Sequence, residues 1–266
     1  MIKKFLPVLI LTLAAGPASA AIVVSEDFEG YANTAAMQAN WGATGLGTLA
    51  TAFGNGGQSA AHPGGAINIW QGSTFSLTPT ATQNIVLTAD LYDDATSQNE
   101  RLTVGLRNGA NPLFEMGHWN QALPQPGGGI PKVEHYATRV LGMYGNESWM
   151  PIDATLNDTG ISAGWNRYEA TFTLTNVTVT IDLGANGTID GTFVSTGAPS
   201  ANAFTDLRFG GASGVSSAGG GFNVDNITLR TVAVPEPSSL AALAALGVMG
   251  LARRRRKTNA SASTQA

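Results

Sequence analysis

Between residues 22 and 232 apolar and polar side chains alternate one by one, and a period of two is the signature of extended strands rather than helices. In RYEATFTL the alternation puts Tyr168, Ala170, Phe172 and Leu174 on one face. In NVTVTIDL it does the same for Val177, Val179, Ile181 and Leu183. NIVLTADLY (84–92) and RLTVGLR (101–107) read as a strand pair across a polar loop, and FTDLRFG and FNVDNITLR supply two late strands. Thr and Val enrichment with Gly, Asn and Pro punctuation supports strands throughout, and no window of 12 residues makes an amphipathic helix. Gly-rich stretches at 54–57, 127–129 and 219–221 read as loops. Roughly ten to thirteen strands are expected, enough for an all-β, two-sheet antiparallel sandwich that buries both inner faces.

Such a sandwich needs a core, and the composition supplies one. Apolar residues make up 43% of the 266-residue chain against 12% charged, the reverse of a disordered composition. The net charge of −4 hides an asymmetry. Residues 21–236 carry seven basic against 18 acidic side chains, net −11, while the other seven basic residues sit in the terminal segments. An acidic body excludes nucleic acid as its partner. The absence of cysteine excludes disulfides, thiolate ligands and a cysteine nucleophile.

The two ends read as addresses. MIKKFLPVLILTLAAGPASA has a positive region (Lys3, Lys4), an apolar stretch (5–15), a Gly16-Pro17 break and small residues at Ala18 and Ala20. This is the build of a secretory signal peptide, residues 1–20, cleaved after Ala20. Near the other end, Pro235-Glu236-Pro237 precedes an apolar run, Leu240–Ala252, and then Arg253, Arg254, Arg255, Arg256 and Lys257. As a helix that run rises about 20 Å against a hydrocarbon core of about 30 Å, so it is a short transmembrane segment, its arginines held on the cytoplasmic side. Its apolar residues go all the way round, which favours insertion over lying on the surface.

The order Pro-Glu-Pro, serine pair, apolar helix, arginine cluster resembles the PEP-CTERM sorting signal of exported bacterial proteins. The resemblance implies recognition by an exosortase, a transient anchor in the inner membrane, and a final place in the envelope or outside the cell. It divides the chain into residues 1–20, a folded domain over 21–232, the sorting signal over 233–257 and a disordered tail over 258–266. The body itself opens with SEDFEGY and closes with NVDNITL. Between them lies GWNRYEATFTLTNVTVTIDLGANG, a Trp-led strand followed by a hairpin. This resembles a concanavalin/laminin-G-like jelly roll. In related carbohydrate-binding jelly rolls the first and last strands pair and hold a structural calcium. The resemblance implies Glu26, Asp27 and Asp225 as its ligands here, since Glu26 and Asp225 each stand in an apolar row and a buried charge needs a partner.

The remaining motifs separate into one candidate and several rejections. FEMGHWNQ offers Glu115, His118 and Trp119 as a sugar-binding loop, with Trp149 and Tyr144 as further platforms: indoles stack on a pyranose and polar groups fix its hydroxyls. DLGANGTID lacks the bidentate Glu of a calcium loop and reads as a hairpin turn at Asn186-Gly187. GISAG (160–164) imitates a nucleophile elbow, but a strand rather than a helix follows it and every histidine precedes Ser162. No catalytic residue is assigned. The expected function is that of a non-enzymatic, exosortase-sorted protein of the envelope or extracellular matrix that binds exopolysaccharide. The alternative is a glycan-active enzyme, hydrolase or lyase, using Glu115 with Glu134 or Glu147 as its paired carboxylates.

Overall fold

The computed structural model describes residues 20–95, 101–119, 135–145, 148–156, 163–212 and 222–234. Residues Ala20–Val232 form one compact unit. In chain order the elements are β1 (Ala20–Glu26), α1 (Thr34–Trp41), β2 (Thr48–Ala50), β3 (Ser59–His62), β4 (Ile67–Ile69), β5 (Gln83–Asp93), β6 (Leu102–Asn108) and β7 (Asn111–Trp119). They continue as β8 (His135–Val140), β9 (Trp149–Pro151), β10 (Gly164–Phe172), β11 (Asn176–Leu183), β12 (Gly191–Thr196), β13 (Asp206–Gly211) and β14 (Phe222–Ala233). No helix among the described residues is long and apolar enough to cross a membrane, and the apolar run 240–252 lies outside them.

Two antiparallel sheets result, making an all-β sandwich of the jelly-roll kind. The first runs β12-β11-β10-β5-β14-β3-β2, with β1 also on β14; the second runs β4-β13-β6-β7-β8-β9. The period of two in the sequence becomes the inner face. Tyr168, Ala170 and Phe172 stand opposite Ile181, Val179 and Val177 on one side and Ala89, Leu87 and Ile85 on the other, all fully buried. The second sheet answers with Leu102, Val104, Leu106, Phe114 and Met116. Phe114 meets Phe172 edge-on across the sandwich, ring centroids 4.8 Å apart at 88°. Each large apolar side chain so buried contributes about 1.5–3 kcal/mol against its exposed state.

Three expectations need correction. The segments 84–92 and 101–107 are strands but not partners: β5 pairs with β10 in the first sheet, while β6 pairs with β7 and β13 in the second. Both have alternating apolar rows, and rows facing each other across a core look the same in sequence as rows side by side. The described residues hold 14 strands, above the expected range, the excess being three-residue strands such as β2, β4 and β9. There is also a helix, α1, too short at eight residues for a 12-residue window to register. Asn33 starts it by accepting from the Ala36 amide at 3.0 Å, Gly42 ends it at φ 68°, and one turn buries Met37 and Trp41.

β14 departs from regularity in a way that matters for the site. On one edge it pairs first with β3 (Phe222–Val224) and then with β1 (Ile227–Val232). At the changeover Asn226 takes a left-handed φ of 49°, a conformation that Asn tolerates better than most residues. Val224 and Ile227, three positions apart, are both fully buried on the inner face. The strand has slipped by one residue, and Asp225 is turned outward.

Gly117 in β7 stands opposite Thr103 of β6 at φ 145°, and a Cβ there would collide with the Leu102 carbonyl oxygen. Gly117→Ala is therefore expected to destabilise the domain by more than about 1 kcal/mol, read as a lower urea midpoint at unchanged m-value.

Candidate functional site

The five residues expected to line a sugar site fall in four places. Glu115 and Arg208 lie on the outer face of the second sheet, opposite the same residue, Gly105, from its two sides. With no side chain between them they meet: an Arg208 Nη2 donates to Glu115 Oε1 and, at 2.6 Å, to Thr103 Oγ1. Nη1 donates to the carbonyls of Gly211 (2.7 Å) and Gly210 (3.3 Å). Both members of the pair are fully buried. Burial pushes the guanidinium pKa down and Glu115 opposes the shift. A carboxylate so placed is a structural ion pair, not an accessible acid.

Trp119 and Trp149 do come together, stacked over Ala137 with centroids 4.4 Å apart and planes at 11°. Arg101 lies over the Trp119 ring at 5.7 Å and Arg139 over the Trp149 ring at 6.0 Å. Each indole therefore has one face on the other and a guanidinium toward its second face. At 8% and 9% exposure they offer no open platform.

His118 points the other way, into the core, where its Nδ1 is 3.4 Å from Asp93 Oδ2 and its ring adjoins Tyr136 and Tyr168. Burial lowers its pKa, with Asp93 opposing. Tyr144 is buried at φ 50° and its hydroxyl donates to the Thr173 carbonyl at 2.6 Å, joining the β8–β9 connection to the β10–β11 turn.

The three residues implied as calcium ligands do not converge either. Glu26 accepts from the Phe28 amide (2.7 Å), Trp41 Nε1 (2.9 Å) and the Tyr31 hydroxyl, so neutral donors satisfy it. Asp27 caps the Glu29 amide at 3.1 Å on the exposed side. Asp225, turned outward by the slip in β14, accepts from the amides of Asn55 and Asn226, each at 2.7 Å. These residues do not fit a shared cation, and no group of three or more His, Asp or Glu side chains among the described residues is arranged to hold a metal. β1 and β14 do pair, as expected of first and last strands. Ala20 opens β1 opposite Val232. Ala18, Pro235, Glu236, Pro237, Arg253–Arg256, Ser162, Glu134 and Glu147 lie outside the described residues.

A partly exposed cluster that the sequence left unremarked lies on the outer face of the first sheet. Arg167 of β10 holds Asp90 of β5 side-on, Nε to Oδ1 at 2.7 Å and Nη2 to Oδ2 at 2.8 Å. Asp90 also accepts from the side-chain amides of Asn55 (2.8 Å) and Asn226 (2.9 Å). Beside them Phe53, Tyr92 and Trp165 form a partly exposed aromatic group. The available signal was an aromatic residue at the polar phase of an alternating strand, which is where both Tyr92 and Trp165 stand. Phe53 arrives on a loop and had no signal.

Two outcomes follow from this electrostatic layout. Arg208→Ala strands the Glu115 charge in the interior and is expected to cost on the order of 3–5 kcal/mol in urea unfolding, whereas Glu115→Leu with Arg208→Met recovers most of it. Asp225 has its pKa raised from 3.8 to about 6, first by burial and then by Asp90 and Glu29, with the two amide bonds opposing. The folded state thus binds this proton more tightly than the unfolded chain, and the contribution is lost as pH rises from 3.8 through 6. His62, lowered from 6.5 to about 4 by burial, acts in the opposite sense across the same window. The measurement is therefore a difference: from pH 4 to pH 6.5 the melting temperature of wild type should fall relative to that of Asp225→Asn.

Among solved structures, the chain is similar to the HCR/D W1238A mutant (TM-score 0.42, 11% identity), covering 78% of this chain and 47% of that one, so it spans under half of that protein's length. It is similar to the lectin UEA-II complexed with galactose (TM-score 0.47, 9% identity, 79% of this chain and 99% of that one). It is likewise similar to the CBM2 module of the evolved Dit of Lactobacillus casei BL23 phage J-1 (TM-score 0.41, 10% identity, 83% and 99%). No curated protein sequence matches the chain. Residues 233–257 match the PEP-CTERM protein-sorting motif, so the run from Pro235-Glu236-Pro237 to the arginine cluster is the sorting signal of an exported protein.

Proposed function

We propose that this protein is exported, processed by an exosortase at its C-terminal signal, and presents its β-sandwich in the envelope or outside the cell as a non-catalytic, polysaccharide-binding module. The observation that carries the reading is the sorting motif at 233–257 placed directly after the compact unit Ala20–Val232. The motif implies exosortase sorting and hence export. The segment 240–252 then serves as a temporary anchor in the inner membrane, lost or exchanged when the signal is processed. A module delivered this way meets the polymers of the envelope, and its net charge of −11 over residues 21–236 turns it away from nucleic acid.

The enzymatic alternative loses its central residue. Glycoside hydrolysis needs one carboxyl group that can give its proton to the leaving oxygen and a second across the scissile bond. Glu115 is buried and bound to Arg208, so it cannot reach a glycosidic oxygen without breaking that pair. Calcium forms no part of the reading, because Glu26 and Asp225 are met by amide, indole and phenol donors.

Replacing Arg253–Arg256 with Ala tests the sorting arm. In wild type the mature protein, by intact mass, should lack residues 1–20 and the C-terminal signal and should be recovered outside the inner membrane. In the variant the C-terminal segment should persist and the protein remain in the inner-membrane fraction. Identical mass and location in the two would overturn the reading.

A further inference from the structure

The outer face of the first sheet carries a built surface that the sorting signal does not explain. Phe53, 42% exposed, meets Tyr92 edge-on with centroids 4.6 Å apart and lies 5.9 Å from Trp165; Tyr92 and Trp165 are 5.4 Å apart. Tyr92 of β5 and Trp165 of β10 are register partners, and so are Asp90 and Arg167 two residues further along. Trp165 and Arg167 therefore project from the same face of one strand, about 7 Å apart. That spacing suits one monosaccharide lying on the indole with its rim at the guanidinium.

The polar groups are held still. The side-on pair with Asp90 uses Nε and Nη2 of Arg167, and Nη1 makes no hydrogen bond among the described residues. The Tyr92 hydroxyl and Trp165 Nε1 likewise make none among them. The loop carrying Phe53 is tied down through Asn55, whose backbone amide donates to Asp225 and whose side chain donates to Asp90. Asn226 closes the circuit by donating to the Asn55 carbonyl (3.3 Å) and to Asp90. Donors fixed before a ligand arrives lose little freedom on binding it.

The charge around this surface selects among polymers. Asp90, Asp182 and Glu169 surround Arg167, and Asp225 and Glu29 lie beyond Asp90. A uronate or sulfate group would meet net negative charge, whereas an uncharged sugar needs only an apolar face and hydroxyl partners. The apolar C–H face of a pyranose against an aromatic ring supplies the first, and the three unused donors supply the second.

We propose that Phe53, Tyr92, Trp165 and Arg167 form a subsite for an uncharged pyranose unit of a polysaccharide, with Trp165 as the stacking platform and Arg167 Nη1 as the donor to its hydroxyls. This rests on the polysaccharide-binding reading and gives it a place and a class of ligand. Asp90, Asn55 and Asp225 are positioning residues that hold Arg167 and Phe53.

The test is native affinity electrophoresis of the mature protein, purified from cells that export it, through gels containing hydroxyethylcellulose, galactomannan, dextran or alginate. Wild type should be retarded by at least one of the three neutral polymers and not by alginate. Trp165→Ala and Arg167→Ala should each weaken that retardation about tenfold, the scale of one well-formed aromatic or charge-assisted contact. Tyr92→Phe removes one hydroxyl without touching the ring packing and should weaken it less, at an unchanged melting temperature, which separates ligand loss from unfolding. If wild type binds a neutral polymer and the three variants, melting as wild type does, bind it equally, the subsite is wrong while the polysaccharide reading stands. If wild type is retarded by none of the four polymers, the subsite and the reading fail together. Retardation by alginate that Arg167→Ala abolishes would overturn the uncharged class.

Discussion

The one-residue slip in β14 organises the first sheet. A regular strand would have kept Asp225 in phase with Ile227 and Leu229, facing the core as a carboxylate with no cation to meet it, at a desolvation cost of several kcal/mol. Asn226 in the left-handed region prevents this, and the same residue lets one edge of β14 serve two partners in succession, β3 and then β1. Once outside, Asp225 has a second use. It and Asp90 accept from Asn55, so a slip in the last strand fixes a loop some 170 residues earlier in the chain. The first and last strands, the loop and the central strand β5 are thus joined through one backbone irregularity.

Three buried acids of this domain are accommodated in chemically different ways. Glu26 takes only neutral donors, from an amide, an indole and a phenol, and in doing so docks α1 against β1. Glu115 takes a full positive charge, Arg208, over a glycine that leaves room for both. Asp90 takes a partly exposed arginine and two amides. Few charged residues are available to the chain, and these are used as joints between elements distant in sequence. This is why the expectation of a metal behind Glu26 and Asp225 was physically sensible and yet not met: both charges found partners, but separate ones.

Much of the sandwich was readable from residue order because alternation reports directly on which face is buried. Tyr168, Ala170 and Phe172 and the row Val177, Val179 and Ile181 lie where their period puts them. Alternation says nothing about partners, so β5 and β6 were joined in the reading although the structure sets them in opposite sheets. It also assumes an unbroken phase, so the orientation of Asp225 was beyond its reach. His118 and Trp119, adjacent in sequence, were read as one loop, but consecutive residues of a strand face opposite ways, one into the core and one onto the outer stack. Of the aromatic ledge, Tyr92 and Trp165 were legible as rings at polar positions, whereas Phe53 depends on hydrogen bonds to residues 35 and 170 positions away from its neighbour Asn55.

The indole pair on the second sheet has an optical consequence. Two tryptophans held 4.4 Å apart with planes at 11° couple their transition dipoles, so this domain should carry an exciton band in circular dichroism whose sign reports the handedness of the stack. Because Trp119 sits at the end of β7 and Trp149 on β9, with β8 between them, the band depends on the register of three strands at once. The fold thus contains an intrinsic chromophore for its own sheet registry, readable without a label.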